Sequence, residues 1–157
     1  MEEIRQLIEK LKKTELERAD ALHRLNRVID EAVKKMINIL HAMYDILYSN
    51  DITIKSYGGH IVNLTEGIVL YSKGIEEKVI LTKDKRLLYY KLVNNRLEEK
   101  VISPEHLLKN VGFDGIYNNV KNLLREKIKM SNQQIIDYRN QTSKISKYIG
   151  QLEREHK

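Results

Sequence analysis

The sequence predicts an α+β chain in which two long amphipathic helices, N- and C-terminal and coiled-coil-like, flank an antiparallel β-meander of about five strands. Three observations carry that expectation. Residues 4–47 contain no Gly or Pro and repeat apolar residues every three or four positions. Residues 51–102 alternate apolar and polar residues between turn signals, and the helical repeat returns after residue 115. At 157 residues and 18.5 kDa the chain suits a single domain, 1–157. Its parts are a long helix over 1–48, the meander over 51–102, a short helix over 104–111 and a long helix over 115–155.

In the first helix, Ile4, Leu7, Ile8 and Leu11, then Ala21, Leu22, Leu25, Val28, Ile29, Ala32, Met36, Ile39, Met43 and Ile46 make one stripe. At 1.5 Å per residue the element reaches ~65 Å, more than a small sheet covers. The stripe falters at Thr14 and Arg18, then widens as Val33, Ile37 and Leu40 join it. Its first half reads as a seam between two helices and its second half as globular core.

Ser49-Asn50-Asp51 stops the helix. The strands that follow are punctuated at Tyr57-Gly58-Gly59-His60, Thr65-Glu66-Gly67, Lys73-Gly74, Thr82-Lys83-Asp84-Lys85 and Asn94-Asn95. The clearest hairpin joins residues 87–93 to 96–102, because Asn tolerates the left-handed backbone of a two-residue turn. Leu88, Tyr90 and Leu92 share one face, and Leu97 and Val101 alternate with Glu98 and Lys100, the pattern of one buried and one wet face. Ser103-Pro104-Glu105 starts the short helix, with Ser as cap and Pro in the first turn. Gly112 ends it and Asp114 starts the last helix. There Ile116, Val120, Leu123, Leu124, Ile128, Ile135, Tyr138, Ile145, Ile149 and Leu152 form the apolar side, interrupted by Ser131 and Thr142. Pairing the two helices within one chain or between two chains satisfies the same stripes.

In outline the order of helix, β-hairpins and helix is similar to that of the prefoldin subunits, which carry a helical hairpin beneath a β platform. No stretch of residues matches them, and the likeness assigns no family.

The composition narrows the function classes. With no Cys, disulfides, thiolate zinc sites and cysteine nucleophiles are excluded. The N-terminal residues are charged and lack a signal-peptide core, and no run approaches a membrane span, so a soluble, intracellular, cytoplasmic protein is expected. The richness in Ile, Lys, Asn and Tyr fits a thermophilic microbe or one of its viruses. The net charge of +6 is uneven: residues 1–50 are neutral, residues 51–102 carry +2 and residues 103–157 carry +4.

His23, His41, His60, His106 and His156 have no metal-ligand spacing, so no metal site and no cofactor is expected. Glu76 and Lys78, two apart on a strand, match the acid-and-lysine half of a metal-dependent nuclease site, in which the acid would hold Mg²⁺ and the lysine would steady water or phosphate. The Lys-Gly turn before them favours a solvated turn instead. No phosphate-binding Gly-rich loop and no nucleophile elbow occur. Lys83, Lys85, Arg86 and Lys91, interleaved with Tyr89 and Tyr90, and Lys121, Arg125 and Lys129 on the last helix are the candidate nucleic-acid contacts.

The leading expectation is a non-enzymatic interaction or assembly protein that self-associates or holds a protein partner through its helices. A DNA- or RNA-binding protein comes second and a nuclease third. A homo-oligomer, a protein partner and a nucleic acid are therefore the candidate partners, and no membrane is expected.

Overall fold

The computed structural model describes residues 1–55, 61–74, 76–94 and 96–156 and has the α+β class expected from sequence. The turn signal at 57–60, with His60, lies outside the described residues, as does Asn95. The chain divides into two compact units, Met1–Tyr117 and Asn118–Lys157, and each is described by itself.

The first unit begins with α1 (Glu2–Ala42), unbroken over 41 residues, with Glu2 and Glu3 in its first turn, where negative charge suits the helix dipole. A single turn, α2 (Tyr44–Leu47), follows after Met43. Val33, Ile37, Leu40, Tyr44 and Leu47 are buried at spacings of three and four, so this part of the stripe is core as its width implied. Asp51 donates its backbone N–H to Ser49 Oγ at 3.3 Å, closing the helix exit.

Among the described residues six strands in two sheets replace the single meander of about five. β1 (Thr53–Lys55) and β2 (Ile61–Asn63) pair as an antiparallel ladder of their own. β3 (Ile68–Lys73), β4 (Glu77–Leu81), β5 (Leu87–Val93) and β6 (Arg96–Ile102) form an antiparallel sheet in chain order. Gly67 stands between the two sheets and bridges to Ser49. A Cβ on Gly67 would strike the Ile80 side chain and lie 2.7 Å from the Leu81 carbonyl oxygen, so the backbone approaches β4 as only glycine allows. Asn94 takes φ 51°, the left-handed conformation expected at the hairpin.

On one face of the large sheet Ile80, Leu88 and Tyr90 cluster with Ile52 and Ile54, flanked by Val69, Leu92 and Leu97. Leu88, Tyr90, Leu92 and Leu97 thus share the face the alternation assigned them. Val101, paired with Leu88, lies on this face too but is 60% exposed on the outer strand β6. Val79 and Leu81 are fully buried beside Ile80, so the middle of β4 is covered on both faces.

α3 (Pro104–Val111) starts as expected: Ser103 Oγ accepts the His106 N–H at 3.2 Å, and Pro stands in the first turn. Gly112, at φ 79°, ends it, and α4 (Phe113–Glu155) begins at once, two residues before the expected Gly115. α1 packs on α3, where the Lys34 ammonium lies 2.9 Å from Asp30 and 3.1 Å from Glu105. These two carboxylates raise its pKa, Asp30 the more. The second unit is the remainder of α4. Among the described residues no helix is long and apolar enough to cross a membrane.

Candidate functional site

The most unusual surface lies along α1 before its buried part. Ile4, Leu7, Ile8, Leu11, Leu22, Leu25 and Val28 are 46–62% exposed. Ile4, Ile8, Leu11, Leu22, Leu25 and Ile29 recur in alternating steps that keep a 3.5-residue period, the spacing of a helix that faces a partner helix. Glu15 and Arg18 occupy the two positions of this series that break its apolar run. Within the helix they pair with each other, Arg18 Nε and Nη2 each 3.0 Å from Glu15 Oε2. The core residues Val33, Ile37 and Leu40 lie on a neighbouring stripe, so the same helix presents one face to the core and another, with Ile39 at 63% exposure, to solvent.

The second unit carries the same period. Leu124, Ile128, Ser131, Ile135, Tyr138, Thr142, Ile145, Ile149 and Leu152 alternate in steps of four and three, and Ile128, Ile135, Tyr138, Ile145, Ile149 and Leu152 are 43–61% exposed. Thr142 returns its hydroxyl to the Tyr138 carbonyl at 2.8 Å. No charged residue stands in this series between 124 and 152.

The basic residues divide between the units. Lys83, Lys85 and Arg86 occupy the turn between β4 and β5, which Thr82 organises. Thr82 is buried, and its Oγ1 donates to Asp84 Oδ1 and accepts the Arg86 N–H at 3.0 Å. Lys85 takes φ 63° and donates its N–H to the Thr82 carbonyl at 3.0 Å. His41 of α1 hydrogen-bonds the Lys83 carbonyl through Nε2 at 2.7 Å and ties the turn to the helix. Arg86 does not stand free: its Nε lies 2.6 Å from Asp84 Oδ2. The Thr82 hydroxyl, together with Arg86, holds the Asp84 carboxyl below the usual carboxylate range. Lys83 and Lys85 are exposed.

Lys91, on β5, faces Glu77 of β4 and Glu98 of β6 across the ladders, so acids flank its charge on both sides. Lys121, Arg125 and Lys129 follow one another by four residues along a single stripe of α4, Lys121 half-buried and the other two exposed. The turn network escaped sequence reasoning, although Asp84 two residues from both Thr82 and Arg86 was its visible signal.

Glu76 lies in the turn before β4 and its carbonyl accepts the Leu92 N–H at 2.9 Å, while Lys78 Nζ donates to Ser72 Oγ at 3.2 Å. Burial lowers the Lys78 pKa. The neighbouring Glu77 accepts a hydrogen bond from the Tyr89 hydroxyl, and burial followed by this carboxylate raises the Tyr89 pKa. Among the described residues no group of three or more His, Asp or Glu is arranged to hold a metal ion.

No protein-family model, no curated protein and no solved structure matches the chain.

Proposed function

We propose that the chain is a non-enzymatic assembly protein that uses its long helices to self-associate or to hold a protein partner, with the two sheets and α3 as a head. The exposed seam of α1 carries this reading. A helix reaching this far beyond its core is marginal alone, since most helical stability comes from packing an apolar face. Covering seven half-exposed Leu, Ile and Val side chains is worth on the order of 10 kcal/mol before the entropy of association is subtracted. Light scattering on the eluting protein is expected to give a multiple of the 18.5 kDa chain mass that falls on dilution. A single-chain mass at every concentration overturns self-association.

The exposed Lys83 and Lys85, on a turn fixed by Thr82 and His41, favour nucleic-acid binding as a second reading. Replacing both with Ala is expected to weaken binding alike across sequences and to flatten its salt dependence by about 1.8 in slope, ~0.9 per phosphate contact. Arg86, engaged by Asp84, adds little to that change. A gel shift over several salt concentrations checks it, with Lys144 and Lys147 changed to Ala as the control of equal charge. An equal loss from both sets shows that net charge alone binds, and an unchanged affinity removes the turn from the site.

A further inference from the structure

We infer that the seam of α1 is covered by the α1 of a second copy, running antiparallel in one register centred between Leu16 and Glu17. The inference rests on the assembly reading above and adds partner, direction and alignment to it.

Glu15 and Arg18 decide the partner. They are the charged members of an otherwise apolar series between Ile4 and Ile29, and burial without a countercharge is costly for either. The corresponding series of α4 offers no charged residue between Leu124 and Leu152, so pairing with that helix gives Glu15 and Arg18 no seam charge beyond each other. A second α1 adds an Arg18 against each Glu15 and a Glu15 against each Arg18.

The direction follows from sign. A parallel, in-register pair sets Glu15 against Glu15 and Arg18 against Arg18, two successive layers of like charge. An antiparallel pair sets each Glu15 against the other copy's Arg18, giving a neutral cluster of four groups in which the Arg18–Glu15 contact at 3.0 Å within each helix is kept.

The register follows as well. With Glu15 opposite Arg18, Leu11 meets Leu22, Ile8 meets Leu25 and Ile4 meets Ile29. Leu7 and Val28, exposed at 60% and 62%, flank the seam rather than lie in it, and this same alignment brings them opposite each other. Along the other flank Arg5 meets Asn26 and Lys12 meets Ala19, so no like charges oppose. Sliding one helix by a heptad in either direction places both Glu15 and Arg18 against leucine or isoleucine. A polar pair that fixes alignment at some cost in stability is a known use of charged seam positions.

Because the chain has no Cys, introduced ones are unique reporters. Mixed Ile8→Cys and Leu25→Cys chains are expected to cross-link to each other on oxidation. Ile8→Cys alone is expected not to cross-link, its two copies lying about 25 Å apart at 1.5 Å per residue. The exchange Glu15→Arg with Arg18→Glu keeps the dimer mass, whereas Arg18→Glu alone, which gathers four acids, halves it. Self-linking of Ile8→Cys, or a dimer that survives Arg18→Glu, overturns the proposed pairing and leaves assembly standing. A wild-type chain that scatters as a monomer overturns the pairing and self-association together.

Discussion

Replacing Leu11 with Asp is expected to split the assembly into single chains while leaving the head folded. In the pair inferred here Leu11 meets Leu22 twice, once at each side of the centre, so one substitution buries two carboxylates without partners. An uncompensated buried charge costs about 3–5 kcal/mol. Two of them weaken association by at least about 10⁴-fold, since each 1.4 kcal/mol is tenfold. Sedimentation of the variant alongside the wild type reads the change in mass, and circular dichroism reports on the head. A surface leucine with no partner predicts the reverse, an unchanged mass, because Leu11 is 60% exposed in the single chain.

The second large effect is expected at Gly67. A methyl group there meets the Ile80 side chain and the Leu81 carbonyl oxygen 2.7 Å away, at a point where β4 is covered on both faces and has no room to move. Overpacking of this kind costs about 3 kcal/mol, which lowers the melting temperature by about 10 °C for a chain of this size. Thermal unfolding of Gly67→Ala measures it, with Gly74→Ala as a comparison. Gly74 has open space around its Cβ position and a φ of 59°, so its cost is conformational rather than steric.

These two sites differ in how far the sequence betrayed them. The seam was visible because a period of 3.5 residues is a property of the chain itself, and the core stripe at Val33, Ile37 and Leu40 showed as a widening of it. Likewise the Ser103 cap, the Gly112 stop and the Leu88–Tyr90–Leu92 face depend on local rules that the structure obeys. Gly67 was legible only as a turn residue. Its closeness to Ile80 arises from a contact between segments 13 residues apart, which no local pattern reports. The division into two sheets was hidden for the same reason, since alternation shows that a strand has two faces but not which strand lies beside it. Val101 alternates correctly yet lies exposed, because alternation cannot distinguish an outer strand from an inner one. Arg86 read as a free cation, and its pairing with Asp84 depends on the turn geometry that Thr82 imposes.

The central claim, that residues 4–28 of α1 are covered by another chain, is tested most directly by amide hydrogen exchange resolved along the helix. An uncovered helical arm frays and exchanges quickly, whereas a paired one is protected. Slow exchange over 4–28 in the wild type is predicted, collapsing in Leu11→Asp while protection over the core residues Val33, Leu40 and Val79–Leu81 stays as it was. Fast exchange over 4–28 in the wild type, or protection there that Leu11→Asp leaves untouched, would contradict it.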